Sequence, residues 1–315
     1  MTRVSANIFI ANSVKGGHGH RLFYRIYEPT DKKILATILI IHGMQEHSGR
    51  YEELAEHLTT RGYVVLTYDQ LGHGKTAKND KELGYIPSSH PTDQLIQDAI
   101  TIGESLRQRY PNLPHFILGH SMGSFVARCV LQEVGDTFKG AILVGTGQRQ
   151  KGTSIFQILL ACLNTIAPGK RSKFINRIFN SRNNARFKNE PNQQNTNWLS
   201  INKANRLAFI EDPLCGGLFT NNGFFTALGL NLRATNPNRT KRIPQTLPIL
   251  FISGQDDPIG DLGAGVKQAS EQLRQQGQID ISIKLYSGMR HEILNEDCKK
   301  EVFEFITIWL DKHLS

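Results

Sequence analysis

The chain has 315 residues, 39% of them hydrophobic and 21% charged, with a formal net charge of +9. That composition supplies one large core with an insertion or two domains, and is too apolar for a disordered chain. No run approaches the roughly 18 apolar residues of a membrane-spanning helix, and the first residues, MTRVSANIFIANSVKGG, lack the apolar stretch and small-residue cleavage site of a secretion signal; a spanning or exported protein is disfavoured.

Alternating segments at residues 7–11 and 21–27 predict two half-buried strands. Continuous apolar runs follow at residues 36–41, 63–68, 115–118, 141–144 and 247–252, the pattern of parallel strands covered on both faces. Between them, apolar spacings of three and four predict helices over residues 51–60, 94–109 and 122–133. After the run at 247–252 come a helix over 262–276 closed by Gly277, a strand over 279–285 and a last helix over 296–312. Strand and helix alternate as in an open α/β sheet with helices on both faces. The core therefore comprises residues 1–147 and 247–315, and residues 148–246 form an inserted subdomain.

That insertion has no run suited to a buried strand. It carries an apolar stripe at Ile155, Phe156, Ile158, Leu159, Leu160, Leu163 and Ile166, and a polar stretch over 182–197 that reads as a loop or an exposed helix. Residues 151–245 hold 14 basic against 3 acidic side chains, +11, while the remainder holds 23 against 25, −2. The four cysteines stand 33, 53 and 83 residues apart, which excludes a CxxC zinc site or a disulfide scaffold and predicts buried thiols in a reducing, cytoplasmic setting.

The most informative segment is Gly119-His120-Ser121-Met122-Gly123, a GxSxG motif directly after an apolar strand and before a helix. In that context the glycines let strand and helix approach around a strained turn that exposes a serine hydroxyl, and the amide of Met122 faces a helix start that favours an oxyanion. A serine needs a base, and the base needs an orienting acid. In chain order the acid comes next: Asp256 and Asp257 follow the strand at 247–252, and one of them fills the role. His291, in the loop after the following strand, is the base. The other histidines near the proposed site, His42, His47, His73 and His120, precede or adjoin Ser121 and are expected to hydrogen bond within their loops. His18, His20, His57, His90, His115 and His313 read as surface or strand-edge residues. A second oxyanion donor is expected from the loop after residues 36–41, with the Met44 amide as the natural candidate.

The segments HGMQEHSGRY, YDQLGHGKT, GHSMGS, SGQDDPIGD and YSGMRHE, in this order, resemble the monoacylglycerol lipase and lysophospholipase branch of the α/β-hydrolases over residues 21–309. The resemblance implies the α/β-hydrolase fold, Ser121 as nucleophile, Asp257 rather than Asp256 as acid, His291 as base, and Met44 and Met122 as oxyanion donors. It further implies that Glu46 and Arg50 lie near the polar head of the substrate and that the insertion is a lid over an acyl-chain tunnel. Some animal members carry a second histidine three positions after the base, where this chain has Leu294, and the lid matches no familiar pattern.

The expected function is ester hydrolysis of a monoacylglycerol or lysophospholipid, with no cofactor and no metal. The nearest alternative is a carboxylesterase for small soluble esters; an aminopeptidase is a more distant one. Epoxide hydrolase and dehalogenase chemistry needs a carboxylate at the elbow, where Ser121 stands. A catalytically retired scaffold that binds anionic membrane is a reading from another class, and the basic insertion makes peripheral contact with such a surface an expectation. No recognition module accompanies the charge, so nucleic acid is not an expected partner.

Overall fold

In the computed structural model, which describes residues 1–11, 19–191 and 194–314, the chain opens with β1 (Thr2–Ala11) and β2 (His20–Pro29), paired antiparallel from Thr2↔Pro29 to Ala11↔His20. His18 lies outside the described residues. β1 reaches further back than alternation predicts because its first residues, largely exposed, are held by ladder bonds to β2 and not by an apolar face. The alternation of core elements follows: β3 (Ala36–Ile41), α1 (Glu52–Thr60), β4 (Tyr63–Tyr68), α2 (Pro91–Arg109), β5 (His115–His120), α3 (Met122–Val134) and β6 (Gly140–Val144). Five helices intervene: α4 (Thr153–Ile166), α5 (Lys173–Asn184), α6 (Lys203–Glu211), α7 (Asn221–Ala234) and the short α8 (Pro237–Thr240). β7 (Ile249–Gly254), α9 (Ala264–Gln275), β8 (Ile281–Tyr286) and α10 (Lys299–Lys312) complete the chain.

The strands form one sheet in the order β1-β2-β4-β3-β5-β6-β7-β8, parallel from β4 through β8, with β1 and β2 antiparallel at one edge. Every residue of β3 to β7 is buried, which is why those segments read as unbroken apolar runs. Successive side chains still part to opposite faces. Leu39, Ile41, Ile117 and Phe251 pack with Leu95 of α2, Val126 of α3 and Leu273 of α9, whereas Ile38, Ile40, Leu118 and Ile252 pack with Leu54 of α1 and Ile306 of α10. Each such aliphatic side chain contributes about 1.5–3 kcal/mol by leaving water. The result is a rigid frame whose parallel strands end together in loops, the place where an open sheet of this class presents its chemistry.

The inserted helices carry two small apolar clusters. Phe187, Trp198, Leu199, Phe209 and Cys215 form one, and Leu160, Ile175, Phe219 and Phe224 the other, with Met44 of the core packed against the second. α4 is apolar on two sides. Phe156, Leu160 and Leu163 face inward, whereas Ile155, Ile158, Leu159 and Ile166 are exposed, Ile166 to 81%. Cys162 shares that outer face and is exposed, a correction to the expectation of buried thiols that Cys129 and Cys215 satisfy. His115 and His313 are buried rather than superficial: Thr37 and His115 share a hydrogen bond, and His313 bonds the Trp309 carbonyl. In the polar stretch, α5 runs on to Asn184 and Phe187 is buried, so part of it is packed helix; residues 192 and 193 lie outside the described residues. Among the described residues no helix is long and apolar enough to cross a membrane.

Candidate active site

β5 passes directly into α3 through Ser121, whose φ of 53° and ψ of −119° no strand or helix residue adopts. A side chain in that region costs about 1–3 kcal/mol and persists only where its surroundings dictate it. Here they do. A Cβ on Gly119 would collide with the Gly123 carbonyl, and one on Gly123 would collide with the carbonyls of Ile41 and His42 at the end of β3. Both glycines are thus required by contact, and the Ser121 amide bonds the Val144 carbonyl at 2.9 Å to anchor the turn against β6.

Ser121 Oγ lies 2.8 Å from Nε2 of His291. The other ring nitrogen, Nδ1, stands 2.9 and 3.0 Å from the two oxygens of Asp257, so its proton is held toward the carboxylate and Nε2 is left free to accept. Asp257 is wholly buried and fixed from both sides: Ser253 Oγ donates to one oxygen at 3.0 Å and the Ile259 amide to the other at 2.8 Å. Asp256 instead points outward, 3.5 Å from the exposed Arg186. The two adjacent carboxylates, left undecided by the residues alone, are thereby separated by geometry: Asp257 faces His291 and Asp256 does not.

Met122 opens α3 and Met44 lies in the turn after β3, beside Gln45, which has a φ of 59°. Among the described residues neither amide donates to a protein acceptor, as a site for a developing oxyanion requires. The loop beneath Met44 is tied down. Neutral His42, kept uncharged by burial, accepts from the Gln70 amide and donates to the Gly43 carbonyl. Glu46, 3% exposed, accepts from the Gly43 amide, from Tyr51 at 2.7 Å, from Nδ1 of His120 at 3.1 Å and from Arg50 at 3.1 Å. Burial alone would raise the Glu46 carboxyl, but the hydrogen bond and charge of His120, with Arg50 behind, hold it well below the usual range. Burial would equally lower His120, and Glu46 outweighs it, so His120 is raised. Its Nε2 meets the His291 carbonyl at 3.2 Å, and with acceptors at both nitrogens the imidazolium is the form that fits.

Arg50 completes this network by pairing with Glu292 and donating to Asn205 of α6 at 2.9 Å. Glu46 and Arg50 were expected beside a substrate head group. Their polar atoms are engaged with Gly43, Tyr51, His120, Glu292 and Asn205, which fastens the oxyanion loop, the elbow, the histidine loop and the insertion to one another. A parallel clip joins His47 to Asp212 at 2.8 Å, with Cys215 alongside. Because His47 Nδ1 accepts from the Gly49 amide, its proton resides on Nε2 and is donated to Asp212, so this trio works as a hydrogen-bonded clip.

Sequence reasoning missed Ser253, Glu292, Asn205 and Trp198. The indole of Trp198 lies over the His291 ring at 4.9 Å between centroids, and nothing in a polar stretch marks a lone tryptophan as a neighbour of a residue 93 positions away; only its isolation among Asn, Thr and Ser was a signal.

The family described as serine aminopeptidase, S33, matches residues 32–298. The chain is 28% identical over 300 residues to a human monoglyceride lipase, covering 93% of this chain and 88% of the relative. It is 25% identical over 306 residues to a monoacylglycerol lipase of Mycolicibacterium smegmatis, covering 96% and 97%. Its fold superposes on a thermostable carboxyl esterase of Bacillus coagulans, solved in complex with glycerol, with a TM-score of 0.88 and 27% identity over 99% of both chains.

Proposed function

Since the chain belongs to the serine aminopeptidase, S33, family of α/β-hydrolases, we propose that it is a serine hydrolase cleaving the carboxylic ester of a single-chain lipid, a monoacylglycerol or a lysophospholipid. The observation that carries this reading is the unbroken relay Ser121 Oγ to His291 Nε2 at 2.8 Å and His291 Nδ1 to Asp257 at 2.9 Å. His291 takes the proton as Ser121 attacks the ester carbonyl, Asp257 holds the imidazole tautomer, and the amides of Met44 and Met122 receive the oxyanion. His291 returns the proton to the leaving alcohol, and a water that it activates then releases the fatty acid from the acyl-enzyme. Losing one oxyanion donor in such a site typically costs about a hundred- to a thousandfold in turnover.

The lipid substrate is supported by Met44, whose side chain packs both on the core and on the cluster of Leu160, Phe219 and Phe224, so the oxyanion side of the site borders an apolar wall supplied by the insertion. In this reading the insertion over residues 148–246 is the lid. Glu46 and Arg50 shape the head-group end by holding its loops. The outer face of α4 exposes Ile155, Ile158, Leu159 and Ile166, and α5 exposes Phe174, close in sequence to Lys170, Arg171, Lys173 and Arg177. Such a surface suits an anionic membrane from which the lipid is drawn. A second reading, an esterase for short soluble esters, is favoured by the likeness to the carboxyl esterase.

Fluorophosphonate labelling of Ser121, followed by release rates on monoacylglycerols, lysophospholipids, short p-nitrophenyl esters and an aminoacyl p-nitroanilide, tests these readings together. Rates that rise with acyl length support the lipid substrate; a preference for short esters transfers the conclusion to the esterase, and cleavage of the anilide alone to a peptidase. For the membrane surface, cosedimentation with anionic liposomes should weaken as salt shortens the Debye length from about 30 Å at 0.01 M to about 8 Å at 0.15 M. Equal sedimentation with neutral liposomes at low salt removes the electrostatic contact.

A further inference from the structure

Two rings pack against His291. His120 stands 4.9 Å away between centroids, tilted 40°, and Trp198 stands 4.9 Å away, tilted 32°. The His120 side is electropositive, since both its nitrogens face acceptors and the imidazolium fits there, compensated in part by Glu46. The Trp198 side is the face of an indole, the most electron-rich of the aromatic side chains. Trp198 is buried and its place is set from several directions. Phe179 meets its ring edge-on at 5.8 Å, and the Asn184 side chain accepts from its amide at 3.1 Å. The residues flanking Trp198 are bonded to the residues flanking His291. The Asn197 carbonyl accepts from Arg290 at 2.6 Å, and the Leu199 carbonyl from the Glu292 amide at 2.7 Å. The indole is therefore registered against the imidazole by hydrogen bonds on either side, one from the Arg290 side chain and one from the Glu292 amide, and does not rest there by shape alone.

We infer that Trp198 is a positioning residue that acts through His291, holding the ring in plane and stabilising the imidazolium that exists only while the serine proton is on Nε2. The inference rests on the serine hydrolase reading and extends it to the insertion. In the step concerned, the proton leaves Ser121 Oγ for His291 Nε2 as the new bond to the ester carbon forms, so the positive charge appears on the ring as negative charge appears on the carbonyl oxygen. The groups that meet that ring are Asp257 at Nδ1, Ser121 at Nε2, His120 with Glu46 and Tyr51 behind it, and Trp198; Glu292 is directed away, to Arg50. Of these, Trp198 is the one contributed by the insertion, which makes the insertion part of the catalytic environment and not only a cover.

Three measurements test this on the full chain with a soluble short-chain ester. Trp198→Leu, which stays apolar and removes the π face, should lower kcat by about 2- to 30-fold with KM unchanged, and Trp198→Phe, also smaller than tryptophan but aromatic, should recover most of the loss. The acid limb of kcat/KM against pH should move to lower pH in the Leu variant, because an imidazolium deprived of the indole face forms less readily, and should return toward wild type in the Phe variant. A Leu variant with wild-type kcat and an unmoved acid limb, or one that raises KM alone, would overturn the inference. Should the variants fold poorly, the intact site still decides. The chain has two tryptophans, so in Trp309→Phe the emission reports Trp198 alone. Its pH titration should follow the activity midpoint and vanish in a further His291→Ala change; an emission indifferent to that change refutes the contact. Absence of fluorophosphonate label on Ser121 in the wild type would instead strike the hydrolase reading, while a labelled, active enzyme with a flat Trp198 series strikes only this one.

Discussion

Outside residues 151–245 the chain carries 23 basic and 25 acidic side chains and buries strands β3 to β7 on both faces; within them it carries 14 and 3, and leaves Ile155, Ile158, Ile166 and Phe174 more than half exposed. The first region has the structure of a frame, in which each apolar run is covered and the buried carboxylates accept hydrogen bonds, Asp69 from two backbone amides and Asp257 from Ser253 and Ile259. The second is a surface whose apolar residues exceed what its own small clusters absorb. The relay of Ser121, His291 and Asp257 resides in the frame, and under the proposed function contact with a water-poor substrate falls to the insertion. The contrast teaches that an unburied apolar face beside a well-covered core is a feature of use, because the same chain packs its apolar residues efficiently elsewhere.

The largest effect that would break this division lies in the frame. Ser121→Ala should reduce ester turnover by about a millionfold and abolish fluorophosphonate labelling, with the thermal midpoint preserved, since the hydroxyl contributes little packing. Retained labelling would move the nucleophile elsewhere. Next, Asp257→Asn should lower turnover by up to about ten-thousandfold because the imidazole tautomer is no longer held. Asp256→Asn, which loses only an exposed pair with Arg186, should stay within about threefold. Steady-state kinetics on both variants would expose a register error in this loop if the outcomes were exchanged.

Glu46→Gln probes the frame's stability more than its chemistry. Removing one partner of a buried ion pair costs about 3–5 kcal/mol. Glu46 is held below its ordinary value of 4.5, so its contribution is present above that value and is lost as pH falls toward the depressed one. His120 is raised above 6.5, so its contribution is present below that value and is lost as pH rises through the raised one. The difference between wild type and variant in urea unfolding should therefore peak between these two ordinary values and shrink on both sides. A difference that does not vary with pH would mean the pair is not ionised.

The smallest effects lie in the insertion, and they separate its two faces. Leu160→Ala, on the inner face of α4, should destabilise by about 2–5 kcal/mol. Ile155→Ser with Leu159→Ser should leave the melting temperature in place and reduce hydrolysis of long-chain monoacylglycerol in liposomes by roughly tenfold, equivalent to about 1.4 kcal/mol of lost apolar contact. Hydrolysis of a short soluble ester should be unchanged; equal losses on both substrates would contradict the assignment of the outer face to lipid.

Legibility in the sequence follows the same division. The strands β3 to β7 and the elbow at Ser121 were readable because burial on both faces leaves a continuous apolar run, and because GxSxG is a local constraint that neighbouring carbonyls enforce. β1 was only half readable, since its exposed end depends on the ladder with β2. The faces of α4 could not be assigned, because a helix apolar all round carries no phase. The network around Glu46 and Arg50 was not readable for a related reason: their partners His120, Glu292 and Asn205 are supplied by segments 74 to 242 residues away, and no spacing rule reaches that far.

The ties between the insertion and the catalytic loops limit how this enzyme can be re-engineered. The insertion enters and leaves the core between β6 and β7, which invites exchange with the corresponding piece of a relative as a specificity cartridge. Such a chimera would sever Asn205 from Arg50, Asp212 from His47, and the Leu199 carbonyl from the Glu292 amide. It would import whatever geometry the donor imposes on His291. A productive graft boundary therefore keeps residues 173–217 with the recipient and exchanges α4 and α7 alone. Under the proposed function, substrate range is then alterable without detuning the base, whereas a swap of the whole insertion changes both together.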